Sequence, residues 1–152
     1  MKKELSQRAR QRIDDRLLAL KPEDRFMPPP KGWIRAIRDA LGMRGVQLAA
    51  RMKVRPQTVE ALEKSETLGS IQLSSLRRAA EALDCTLVYA LVPNRSLEEA
   101  VQARARKIAI RDLKRVAHTM KLEAQETEDT GTEGQIEKYI RSIKDGDLWN
   151  EK

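Results

Sequence analysis

Between Met43 and Glu66 the chain reads "MRGVQLAARMKVRPQTVEALEKSE". The side chains there with chemistry to offer are Arg55, Gln57, Thr58, Ala61 and Lys64. They supply a guanidinium, an amide, a hydroxyl, a methyl and an ammonium, groups that recognise by hydrogen bond and contact without making bonds. A positive, amide-bearing helix start of this kind suits the edges of bases in a major groove. Presenting it requires two short helices, the second held at a steep crossing to the first by small and apolar residues at fixed offsets. Ala49 is the small residue at the close crossing, and Leu48, Met52, Val54, Val59 and Leu62 supply the wedge.

No other chemistry rises to the same level. His118 lies in a helical stretch beside Thr119 with no nucleophile signature nearby, which reads as a surface or packing histidine. Cys85, the single cysteine, reads as a buried small residue or, less economically, a reactive thiol; it excludes an internal disulfide and a cysteine zinc cage. Trp33 either packs at its helix start or stacks on a base. Glycine-rich phosphate loops and His/Cys metal-ligand spacings are missing from the sequence, so no enzyme, cofactor or metal site is expected.

Composition agrees with a helical binding protein. The core must be aliphatic, because aromatic residues are 3% of 152, and such a composition favours helices. Thirty basic residues against 23 acidic give a net charge of +7, unevenly spread. Residues 1–94 carry 18 basic and 11 acidic residues, 95–126 carry 8 and 5, and 127–152 carry 4 and 7. A basic body with an acidic tail points to a polyanion or to a charged, solvated surface. No apolar run is long enough for a membrane span, and "MKKELSQRARQRIDDRLL" has no apolar signal core, so a cytoplasmic protein is expected.

The flanking elements follow from periodicity and breakers. Leu5, Ala9, Ile13, Leu17 and Leu20 predict an amphipathic helix, an N-terminal arm over 1–21. "KPEDRFMPPPKG" ends it with a stiff, extended connector over 22–31. Residues 32–84 read as four or five short helices, with Ile34, Ile37 and Leu41 on one face of the first and Ser74 capping the last. Ser96 caps a long helix over 96–126, and an acidic linker, a short helix with Ile136, Ile140 and Ile143, and a fraying tail occupy 127–152.

Within 85–93 the period changes. Thr86, Leu87, Val88, Tyr89, Ala90, Leu91 and Val92 form a strand-like run ended by Pro93. A lone strand has no ladder partner in this chain, so pairing with the same strand of a second copy is expected; a buried helix segment is the alternative.

Residues 33–84 resemble the lambda-repressor-like helix-turn-helix domain. More narrowly, "PPKGWIRAIRDALGM", "LEKSE", "LRRAAEALDCTLVYALVP" and "HTMKLEAQ" resemble the bacterial family called mobile mystery protein A, over about residues 8–126. The resemblance implies base reading by Arg55 and Gln57, a thymine-methyl contact from Ala61, and phosphate contacts from Arg44, Gln47, Thr58 and Lys64. It also implies an ion pair between Arg38 and Glu63. It further implies a place beside a Fic-domain protein, in an arrangement like a toxin–antitoxin pair.

The sequence departs from that pattern at three positions. Lys53 stands where glycine takes a left-handed conformation, at a cost of about 1 kcal/mol. Pro56 fits the first helical position but replaces a glutamine, and Gly45 replaces another. Glu60 and Glu66 would repel phosphates unless turned aside or reading cytosine N4. The expected fold is all-α: a helix-turn-helix domain with helical extensions and one short strand pairing across a homodimer. Its expected function is repression of its own operon, shared with the Fic-domain protein, by binding double-stranded DNA at an inverted-repeat operator. The alternative is a protein-binding antidote module that hardly touches DNA.

Overall fold

The computed structural model describes residues 2–122 and 133–150. Its α-helices run in the order α1 (Lys2–Leu18), α2 (Trp33–Ala40), α3 (Gly45–Met52), α4 (Pro56–Thr67), α5 (Leu73–Ala82), α6 (Leu97–Leu122) and α7 (Glu133–Ser142). Short 3-10 turns occupy Glu23–Phe26 and Asp145–Trp149. Two compact units result, residues 22–90 in one, residues 1–21 with 91–152 in the other.

The unit of residues 22–90 closes around Ile34, Leu48, Ala49, Met52, Val59, Ala79 and Leu83, with Ile37, Met43, Val54, Leu62, Ile71, Leu76, Ala82 and Cys85 packed partly buried against them. Aliphatic side chains from α2 to α5 therefore make one core. The connector of the sequence reading is not extended throughout, since Glu23–Phe26 forms a helical turn before the prolines. Leu41 does not join the apolar face of Ile34 and Ile37: it is 59% exposed, at the capping position where α2 ends before Gly42 (φ 65°). Ser74 does not cap α5 either. That helix starts at Leu73, with Gln72, two residues before Ser74, in the capping position.

The start of α2 has no capping side chain of its own, since Gly32 precedes it (φ 79°, ψ 164°). Glu66, near the end of α4, supplies the cap: its carboxylate accepts from Trp33 N–H at 2.8 Å and Ile34 N–H at 3.0 Å. A Cβ on Gly32 would come within 2.7 Å of Glu66 Oε2, and its backbone region is essentially reserved for glycine. Gly32→Ala is therefore expected to lower the unfolding free energy by about 2 kcal/mol, the cost of one such backbone strain. Gly45→Ala, where an added Cβ meets nothing within 4 Å, serves as the control. Equal denaturation midpoints for the two variants would dismiss the clamp.

In the other unit α1 packs along α6, and α7 and the second 3-10 turn also pack on α6. The face that α1 turns inward takes only part of the predicted stripe, with Leu17 and Leu20 half-buried. Leu5 (62%) and Ile13 (45%) are exposed, whereas Asp14 is buried. The reason is the N-terminus of α6, whose free N–H groups and dipole attract an anion. Asp14 accepts from Leu97 N–H at 2.7 Å and Glu98 N–H at 3.2 Å, while Ser96 Oγ accepts from Glu99 N–H at 3.1 Å. Arg10 beside it reaches Glu98 (2.7 Å) and Asp145 (3.2 Å). Hydrogen bonds from Gln102 and Arg10 hold the Glu98 carboxyl below its ordinary pKa against the opposing effect of burial, the largest single influence on it. Lys3 donates to the carbonyls of Ile140, Arg141 and Ile143, the C-terminal end of α7.

The tail expected to fray is tied down as far as Leu148. Leu148 is buried, and its carbonyl accepts from Arg104 Nε at 2.7 Å. The end of the expected long helix, residues 123–126, and residues 127–132 of the acidic linker lie outside the described residues, as do residues 151–152.

Residues 86–92 form no strand. They adopt no regular structure, and none of their backbone groups makes a backbone hydrogen bond among the described residues. The physical reason is the one that makes a lone strand awkward: a single chain offers this segment no ladder to join.

Candidate nucleic-acid interface

Two helices and a three-residue connection build the site. The predicted wedge is fully assembled: Leu48, Ala49, Met52 and Val59 are buried, and Val54 and Leu62 pack against them. Lys53 adopts the left-handed conformation (φ 57°, ψ 43°) that the departure from glycine required. Two bonds fix the turn around it, Lys53 N–H to Ala50 O at 3.2 Å and Val54 N–H to Ala49 O at 3.0 Å. Val54 then drops its side chain into the core, the usual hydrophobic companion of such a helix end. Local bonding and burial thus offset the strain of a non-glycine residue.

Arg55 is extended (ψ 150°) and precedes Pro56, the first residue of α4. Proline there sacrifices no hydrogen bond, and its fixed φ suits the helix. No side chain caps this helix start, Pro56 carries no N–H, and the Thr58 N–H is bonded to Arg55 O at 2.9 Å, so little free N–H capacity remains in its first turn. Arg55, Gln57, Thr58, Ala61 and Lys64 are all exposed. Gln57, Ala61 and Lys64, at i, i+4 and i+7, fall on one line along α4 about 10 Å long. Arg44 and Gln47 stand exposed in the first turn of α3. There the Gln47 side-chain oxygen accepts from Arg44 N–H at 2.8 Å, which leaves the amide nitrogen to donate outward.

The opposite side of α4 is anchored by acids. Arg38 Nε lies 2.7 Å from Glu63 Oε1, and its second nitrogen reaches Glu63 Oε2 at 3.3 Å. Arg38 also donates to Met43 O at 2.9 Å. Hydrogen bonding to the Glu63 carboxylate raises the Arg38 pKa further, so this guanidinium carries its charge throughout the accessible pH range. Glu66 is engaged with the start of α2, away from the exposed line. Glu60 is exposed and lines a shallow groove together with Lys31, Arg35 and Lys64, with no ion pair to them among the described residues. Of the two carboxylates that could oppose phosphate, Glu66 is therefore turned aside and Glu60 stays exposed.

The Glu66–Gly32 clamp escaped the sequence reading. A detectable signal existed: α2 follows glycine with no Ser, Thr, Asp or Asn at its cap, so its cap had to come from elsewhere in the fold. His118 is exposed, Cys85 is half-buried against the core cluster, and Trp33 is 43% exposed with its backbone N–H on Glu66. Among the described residues no group of His, Cys, Asp and Glu could hold a metal ion, and no helix is long and apolar enough to cross a membrane.

The helix-turn-helix family profile matches residues 34–89. No curated protein and no solved structure matches the chain. Helix-turn-helix domains bind nucleic acid and do not catalyse, and the matched span coincides with the wedge, the left-handed turn and the exposed helix described above. The chain carries an XRE-type helix-turn-helix domain, the module of DNA-binding regulators.

Proposed function

We propose that this chain is a sequence-specific transcriptional repressor that binds an inverted-repeat operator as a homodimer. The observation that carries the reading is the exposed line Gln57–Ala61–Lys64 on a helix whose opposite side is fixed by Val59 and Glu63. Rigid support lets a helix contribute base contacts without the entropy of ordering itself on the DNA. Arg55 and Gln57 read base edges, with Gln57 bidentate to adenine or singly bonded to guanine, and Ala61 meets a thymine methyl. Arg44, Gln47, Thr58 and Lys64 hold phosphates and set the register. Thr86–Val92 pairs with its copy, placing two such helices about one DNA turn apart or a multiple of it. The regulated operon is its own, shared with a Fic-domain protein, as the family resemblance suggests.

Fluorescence anisotropy on the DNA upstream of its own gene, beside a scrambled duplex, tests this. The expected result is selective binding that Gln57→Ala weakens by about 10- to 100-fold on the operator, the worth of one bidentate base contact. Binding to the scrambled duplex should hardly change. Equal weak affinity for both duplexes, indifferent to Gln57→Ala, would transfer the function to the protein-binding antidote reading.

A further inference from the structure

The helix-turn-helix leaves unexplained a line of cations on the other unit. Along α6, Lys107, Arg111, Lys114 and His118 recur at i, i+4, i+7 and i+11, and all are exposed. At 3.6 residues per turn they fall within about 60° of one another and span about 16 Å of helix. Arg115, also exposed, flanks them. Like charges at this spacing destabilise a helix, so the line is a cost that the helix itself does not recover.

Neighbouring acids neutralise only part of it. Asp112 accepts from Arg111 at 2.9 Å and from the Tyr139 hydroxyl at 2.9 Å, and the Arg111 bond lowers its pKa. On α7, Glu133 is paired with Arg106, and Glu137 also acts on Arg106. Arg106 lies about 100° around the helix from Lys107. Lys107 and Lys114 form no ion pair among the described residues.

The chemistry of the face selects the partner. Protein interfaces centre on a buried aromatic or aliphatic anchor. The exposed large apolar side chain in this half of α6, Val116, sits two residues from both Lys114 and His118, on the far side of the helix. What remains is charge and N–H donors spaced along a straight rod, which suits a row of phosphates. We infer that the Lys107–Arg111–Lys114–Arg115 face of α6 is a second DNA contact, sequence-independent and directed at the duplex backbone. The inference rests on the DNA-binding reading above. It adds affinity and salt dependence, whereas the Gln57 line adds selectivity.

The test compares the full chain with K107Q/K114Q/R115Q on a duplex of arbitrary sequence, across a salt series. Glutamine keeps helix propensity, so the exposed triple variant folds. R8Q/R12Q/R16Q, three exposed arginines on α1, removes the same net charge elsewhere in the same unit. The expected result is a log–log salt slope shallower by about 2 to 3 for the α6 variant, at roughly 0.9 for each phosphate no longer neutralised, with the α1 variant near the unaltered chain. Equal slopes for all three proteins, or equal reductions in both variants, overturn the inference. So does an unchanged duplex slope with abolished retention of poly-glutamate, which would assign the face to an acidic protein. An unaltered chain that binds no duplex at all overturns the DNA-binding reading itself. Binding with a slope insensitive to α6 removes only the second DNA-binding face.

Discussion

Glu63→Ala is expected to lower the unfolding free energy by about 3 kcal/mol, the lower end of what removing one partner from a buried ion pair costs. The Arg38 and Glu63 side chains retain only 12% and 11% exposure, so neither charge can recover full hydration when the other is removed. The variant leaves Arg38 beside Asp39, an exposed carboxylate 3.0 Å away that gives little compensation. Chemical denaturation of Glu63→Ala, Arg38→Ala and the double variant separates the pair from its surroundings. The double variant should cost clearly less than the sum of the singles, because each single already removes the same interaction. A change under about 1 kcal/mol for Glu63→Ala would mean that the pair is well hydrated and contributes little, as exposed pairs do. Arg38 also holds Met43 O at the entry to α3, so Arg38→Ala should additionally loosen the start of that helix.

The second large effect concerns oligomeric state. If Thr86–Val92 pairs with its copy, the 17.3 kDa chain sediments as a dimer, and proline at Val88 or Tyr89 dissociates it. Successive residues of a strand direct their backbone groups to opposite edges, so one of these two prolines must remove a ladder N–H. Val88 and Leu91 are each 82% exposed and Tyr89 is 66% exposed, apolar surface that pairing would cover. With the dimer gone the two recognition helices no longer bind as a linked pair. Operator affinity should then fall by about 100- to 1000-fold, the scale of losing a second tethered site. Melting temperatures measured at low concentration should not move, since the segment makes no backbone hydrogen bond among the described residues. A monomer at micromolar concentration in the unaltered protein would remove both the pairing and the inverted-repeat operator.

What the amino-acid sequence determined by itself was local. The wedge of Leu48, Ala49, Met52, Val54, Val59 and Leu62 was legible because its spacings repeat within one or two helical turns. Lys53 in the left-handed region, Pro56 at the first position of α4 and Ser96 as a cap were legible for the same reason: each acts on backbone groups a few residues away. Only the tertiary structure decided where unmatched polar groups find partners. Glu66 caps a helix 33 residues earlier, and Asp14 caps one 83 residues later. A sequence shows a carboxylate as surface charge by default, because ions are costly to bury unless paired. The fold reverses that default where it brings a helix N-terminus with free N–H groups to the carboxylate. The same reversal turns Asp14 inward and leaves Leu5 and Ile13 outward on α1, against the apolar period of its sequence. Periodicity reports which face could be buried, and the polar demands of a distant helix end decided which face was.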